Sequence, residues 1–154
     1  TIKKSVPAKE TPFTPAVTLL VSLAEAIKMI RKEGLENIFK KTEKYKQAAR
    51  AGIKALNLEL FADDKSACSV LTSAKMPENI DGQKVVKTLR QEYGISIAGG
   101  QERLKGKIIR LAHMGYIDQF DLFVGLAGLE MALPKMGHPV EPGKAVAAAE
   151  KILS

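Results

Sequence analysis

GISIAGGQERLKGKIIRLAHMGYID, Gly94 to Asp118, sets several local signals side by side. Ile95 to Ala98 reads as one strand and Lys107 to His113 as another, both short and without helical spacing. Gly99-Gly100 opens a loop between them that closes near Gly106. Asp118 then offers a helix cap, with Asp121 three residues on as a weak capping-box form. Within the second strand Arg110 faces away from Ile109 and Leu111, because successive side chains alternate between faces.

Working outward, the helix after Asp118 runs from Gln119 to about Met136 and is apolar nearly all round, so it is expected to be buried on several sides. Gly125 and Gly128 should admit a neighbouring backbone, and Pro134 should disturb the last turn. His138 to Gly143 reads as a turn segment, and Lys144 to Leu153 as an alanine-rich helix. Before Gly94, a helix is capped by Asp81 and runs to Glu92, with Gly94 as its stop. Cys68 to Ala74 and Leu58 to Phe61 read as two further strands around an Asp63-Asp64-Lys65-Ser66 loop. Earlier still come two helices, one started by Thr14-Pro15 and stopped by Gly34, the next carrying a stripe from Leu35 to Leu56. The expected fold is α/β of the α+β type: a small, mostly antiparallel four-stranded sheet covered by helices. Residues 1–13 are read as a linker or arm, and 14–154 as one domain.

A chain of 154 residues with 45% hydrophobic and 27% charged residues can bury a core and is not of the disordered class. The longest apolar run, Leu122 to Leu129, is far too short to span a bilayer, and Thr1 to Lys9 has no apolar core for a secretory signal. One cysteine, Cys68, excludes an internal disulfide and fits the cytoplasm. The net charge is +7, yet the lysines between Lys40 and Lys54 alternate with Glu43, Gln47 and apolar residues, as on a solvated helix face. Aromatics make up 5%, so stacking platforms for bases are scarce and nucleic acid is not an expected partner. The chain opens on Thr1 rather than methionine, which suits a trimmed tag and equally a piece of something longer.

Two segments offer chemistry. Thr11-Pro12-Phe13-Thr14-Pro15 sets two hydroxyls around a rigid turn at a helix start, where free amides and a partial positive charge suit a phosphate. Simple capping by Thr14 explains the same residues. Arg110 sits in a short apolar strand, and its planar fork matches a carboxylate at two points. An arginine on a solvated sheet face is the other reading, and both stand on the residues alone. His113, His138 and Cys68 have no metal-ligand spacing. The Gly99-Gly100-Gln101 loop precedes no helix start and is not a phosphate cradle. Lys75 is read as a surface lysine.

With TPFTPAV (11–17), EGLENIFKKTEKYKQAARAGIKALNLELFA (33–62) and the 94–118 stretch together, the chain resembles the carboxyl-terminal small domain of the class V, fold type I, aminotransferases. It is most similar to the serine–glyoxylate, alanine–glyoxylate and serine–pyruvate group, some of whose relatives are called soluble hydrogenase subunits. The resemblance implies a homodimeric enzyme using pyridoxal 5'-phosphate to move an amino group between serine or alanine and glyoxylate or pyruvate. It implies that Arg110 binds the substrate carboxylate, and that Thr11 and Thr14 contact the cofactor phosphate of the neighbouring subunit. Some members have tyrosine where this chain has Thr11. The family's cofactor-binding lysine lies upstream of the matched region, so no catalytic residue and no metal ligand is expected here. A regulatory module that binds an amino acid is the alternative function.

Overall fold

The computed structural model describes Ser5, Pro7, Lys9, Thr11 and residues 13–154, so the arm expected over 1–13 lies mostly outside the described residues. The chain falls into two compact units, Thr1–Ile38 and Phe39–Ser154.

The first unit contains helix α1, Val17–Glu33. Its entry departs from expectation: the residue before the helix is Ala16, and no side chain caps it. Thr14 is therefore not the cap, and Pro15 lies outside the helix. Ala16 has φ −78° and ψ 68°, and the Val17 amide donates to the Pro15 carbonyl at 2.9 Å. That is an inverse γ-turn, which spends on Val17 the start that a threonine cap would have served. Gly34 ends α1 as expected, its amide donating to the Ile30 carbonyl. Helix α2 follows over Leu35–Ala55.

In the second unit the order continues as strand β1 (Leu71–Lys75), helix α3 (Gly82–Tyr93), strands β2 (Ala98–Gly99) and β3 (Ile108–Ala112), and helices α4 (Gln119–Ala132) and α5 (Lys144–Leu153). The sheet is antiparallel with order β1-β3-β2. It has three strands among the described residues, not the four expected. The Leu58–Phe61 segment reduces to one bridge, Leu60 to Ala74. It is hemmed in by Asn57, whose φ is +57°, and by the turn that the Asp63 carboxylate makes with the Ser66 amide at 2.7 Å. The strand expected over Ile95–Ala98 shrinks toward its end for a similar reason. The Ile95 amide is committed to the Leu89 carbonyl at 3.0 Å in the α3 exit, so it cannot join a ladder.

The caps of this unit follow their sequence signals. Asp81 accepts from the Gln83 amide, and Gly94 takes the left-handed φ of +69°. Asp118 and Asp121 form a reciprocal capping box at α4. The core lies between the sheet and α2, α3, α4 and α5, with Ile53, Leu56, Leu89, Leu126 and Leu129 among its fully buried side chains. Ile109, Leu111 and Ala74 belong to it, which fixes the inner face of the sheet. The α4 glycines receive side chains rather than backbone: Leu111 packs over Gly125, and Ile95 and Leu89 over Gly128. Nor is α4 covered all round, since Phe120, Val124 and Met131 are exposed. It stops at Ala132, short of Pro134, which opens a separate single-turn 3-10 helix to Met136.

Candidate functional site

Strand alternation sends Ile109 and Leu111 into the core and leaves Arg110 half-buried on the opposite face. Two neighbours flank it there. Its register partner on β1 is Ser73, and on β2 it is Ala98. Directly opposed residues on antiparallel strands hold their Cβ atoms about 4.5–5.5 Å apart. Small side chains on both sides therefore leave the long arginine unobstructed.

One end of the guanidinium is tied down. Arg110 Nε–H donates to the Gly99 carbonyl at 2.9 Å. The terminal N–H groups make no hydrogen bond or ion pair among the described residues. A planar fork with its stem anchored and its two tips unpaired is set up for a carboxylate, which can accept at two points. The Ser73 hydroxyl beside it is likewise without a partner among the described residues. The sequence reading missed Ser73: its presence opposite Arg110 depends on strand register, and the only sequence signal was its alternation with Thr72 and Ala74.

The surroundings divide into charge on one side and a neutral buried pair on the other. Lys75, also on β1, is paired with Glu59 at 2.5 Å, in keeping with a surface lysine. His113, just past β3, is only 1% exposed, and its Nε2 lies 2.9 Å from the Thr72 hydroxyl. Its Nδ1 has no hydrogen-bond partner. Burial pushes its pKa down, the Lys46 charge adds to this, and nearby backbone carbonyls of His113 and Ser69 oppose it without reversing it. No cluster of histidine, cysteine and acidic residues able to hold a metal occurs among the described residues. No helix there is long and apolar enough to cross a membrane.

The remaining site residues belong to the first unit. The Thr11 hydroxyl donates to the Phe13 carbonyl at 2.6 Å, so its proton is engaged within the turn. Thr14 is exposed and its hydroxyl has no partner among the described residues. The first turn of α1 contains no acidic residue, and the Thr18 and Leu19 amides have no carbonyl partner among the described residues. An uncapped helix start of this kind fits a phosphate.

An antiparallel sheet backed by helices thus carries a half-buried, forked cation on its outer face, with its tips unpaired among the described residues. The comparisons make this specific. The sequence model of the family "Aminotransferase class-V" matches residues 3–115, and the chain belongs to that family. It is 39% identical over 153 residues to the soluble hydrogenase 42 kDa subunit of Anabaena cylindrica, covering 99% of this chain and 40% of that protein. It is 35% identical over 143 residues to serine–glyoxylate aminotransferase of Arabidopsis thaliana, covering 92% of this chain and 36% of that enzyme. The crystal structure of ureidoglycine–glyoxylate aminotransferase from Bacillus subtilis superposes with a TM-score of 0.87 at 38% identity, covering 92% of this chain and 37% of that one. The chain thus spans about two fifths of the length of these relatives.

Proposed function

We propose that the protein to which this chain contributes transfers an amino group between serine or alanine and glyoxylate or pyruvate. Arg110 carries the reading. Its Nε is anchored on Gly99 and its tips are unpaired, so it can hold a substrate carboxylate at two points while a bound substrate's reacting carbon is kept in one place. Lysine would supply a point charge in place of the fork.

Pyridoxal 5'-phosphate, when bound, supplies the electron sink for this chemistry. The chain's own share in holding it is the start of α1. There Thr14 would donate its hydroxyl to the phosphate, and the unpaired Thr18 and Leu19 amides would face the same charge. Thr11 would act through the turn, since its proton already goes to Phe13. These residues would serve the neighbouring subunit of a homodimer, in a cytoplasmic enzyme whose single cysteine is an exposed free thiol.

The test is amino transfer from serine or alanine to glyoxylate by the intact protein, with Arg110→Lys and Arg110→Ala beside it. A charge-assisted contact contributes roughly 1.5–3 kcal/mol, so KM for the amino acid should rise about ten- to hundred-fold. No transfer by the intact protein, or unaltered KM in both variants, defeats the reading.

A further inference from the structure

Arg110 is anchored through a carbonyl, and that carbonyl belongs to a strand only two residues long, Ala98–Gly99. The position of the fork is therefore only as well defined as the position of Gly99. The ladder holds Gly99 from either side: Ala98 pairs with Arg110, and the Gly100 amide donates to the Ile108 carbonyl at 3.0 Å. Alternation in an antiparallel ladder then turns the Gly99 carbonyl outward, away from β3, so no ladder bond uses it. Arg110 does so.

The third side of Gly99, toward the helices, is closed by Gln83 from the first turn of α3. A Cβ built on Gly99 would lie 2.3 Å from Gln83 Nε2, so the amide occupies the space a side chain at 99 would need. That nitrogen is buried and has no hydrogen-bond partner. An unpaired buried amide costs stability and calls for a reason. A capping or salt-bridging role does not supply one, because the backbone amide of Gln83 alone serves the Asp81 cap.

We propose that Gln83 is a positioning residue for Arg110: its amide seats Gly99 against the helix side, and the seated Gly99 carbonyl aims the guanidinium. The inference rests on the reading of Arg110 as the carboxylate holder. It concerns a residue on the far face of the sheet that never meets the substrate.

The seat can be emptied, overfilled or refilled. Gln83→Ala empties it, Gly99→Ala overfills it by driving a methyl into the amide, and the double variant lets that methyl take the vacated space. In the intact protein, each single variant should raise KM for the amino acid, and the inhibition constant of propionate as a carboxylate probe, by about three- to tenfold. Their kcat should stay within about twofold, since the fork grips ground and transition states alike. The double variant should return both constants to within about twofold of the parent. That recovery is the discriminating sign, because two independent structural injuries would add. A double variant as impaired as the worse single one, or single variants with parental constants, overturns the inference. Should Gly99→Ala fail to fold, Gln83→Ala alone with a parental propionate constant does the same. Arg110→Ala separates the levels. If it leaves the propionate constant unchanged, the carboxylate reading itself fails; if it raises the constant while the Gln83 and Gly99 variants do not, only the positioning role fails.

Discussion

Ser73 and Arg110 are register partners on adjacent antiparallel strands, and both face away from the core that their neighbours Thr72, Ala74, Ile109 and Leu111 fill. The hydroxyl of one and the guanidinium tips of the other have no partners among the described residues. The core side of the sheet is thus occupied and the other side presents two adjacent donors.

This pairing makes bulk at position 73 the first prediction. Ser73→Leu places a branched side chain beside the fork and should raise KM for the amino acid about tenfold, whereas Ser73→Ala should change it by less than about threefold. Steady-state kinetics of the intact protein decide this. Equal effects from both variants would mean that the hydroxyl, not the space, matters.

The α4 capping box gives a stability prediction. Asp118 accepts from the Phe120 and Asp121 amides at 2.7 and 3.2 Å, and Asp121 returns a bond to the Asp118 amide at 2.9 Å. Asp118→Ala should cost about 1 kcal/mol in urea denaturation, with Asp118→Asn retaining most of it.

Packing at the α2–α4 crossing is tight. A Cβ on Gly52 would stand 2.5 Å from Leu126 Cδ1 and 3.2 Å from the Ala145 carbonyl. Gly52→Ala is therefore expected to destabilise by about 1–3 kcal/mol through overpacking. Leu126→Ala, at a side chain with 0% exposure, should cost about 2–5 kcal/mol by leaving a cavity. Combining the two should recover part of the loss, since the methyl enters the space that Leu126 vacates.

His113 gives a pH prediction. Its folded pKa lies below the ordinary histidine value, with burial as the largest cause. The unfolded chain therefore takes up a proton first on acidification, and stability falls as pH drops below about 6.5 until the folded state also titrates. His113→Gln should flatten that part of the urea midpoint against pH curve. An unchanged slope would show that the ring is not the titrating group.

Much of this was legible in the sequence because the signals were local. Asp81, Gly94 and the Asp118–Asp121 pair each announce a terminus through a bond made within a few residues, and each sits where its chemistry required. The strand alternation around Arg110 was equally local. What could not be read depended on competition between neighbours. Ile95 looks like a strand residue, but the exit of α3 claims its amide. Thr14 looks like a cap, but the Ala16 turn comes between it and the helix. The Ser73–Arg110 register and the contact of Gln83 with Gly99 join residues far apart in the chain, and no spacing rule records them.

The central claim is that Arg110 recognises a carboxylate, and a substrate without one tests it most directly. Transfer from alanine and from ethylamine, which lacks the acid group, should be compared in the intact protein and in Arg110→Ala. The account predicts that kcat/KM for alanine falls about ten- to hundred-fold in the variant while the value for ethylamine stays the same. An equal fall for both amines would contradict it.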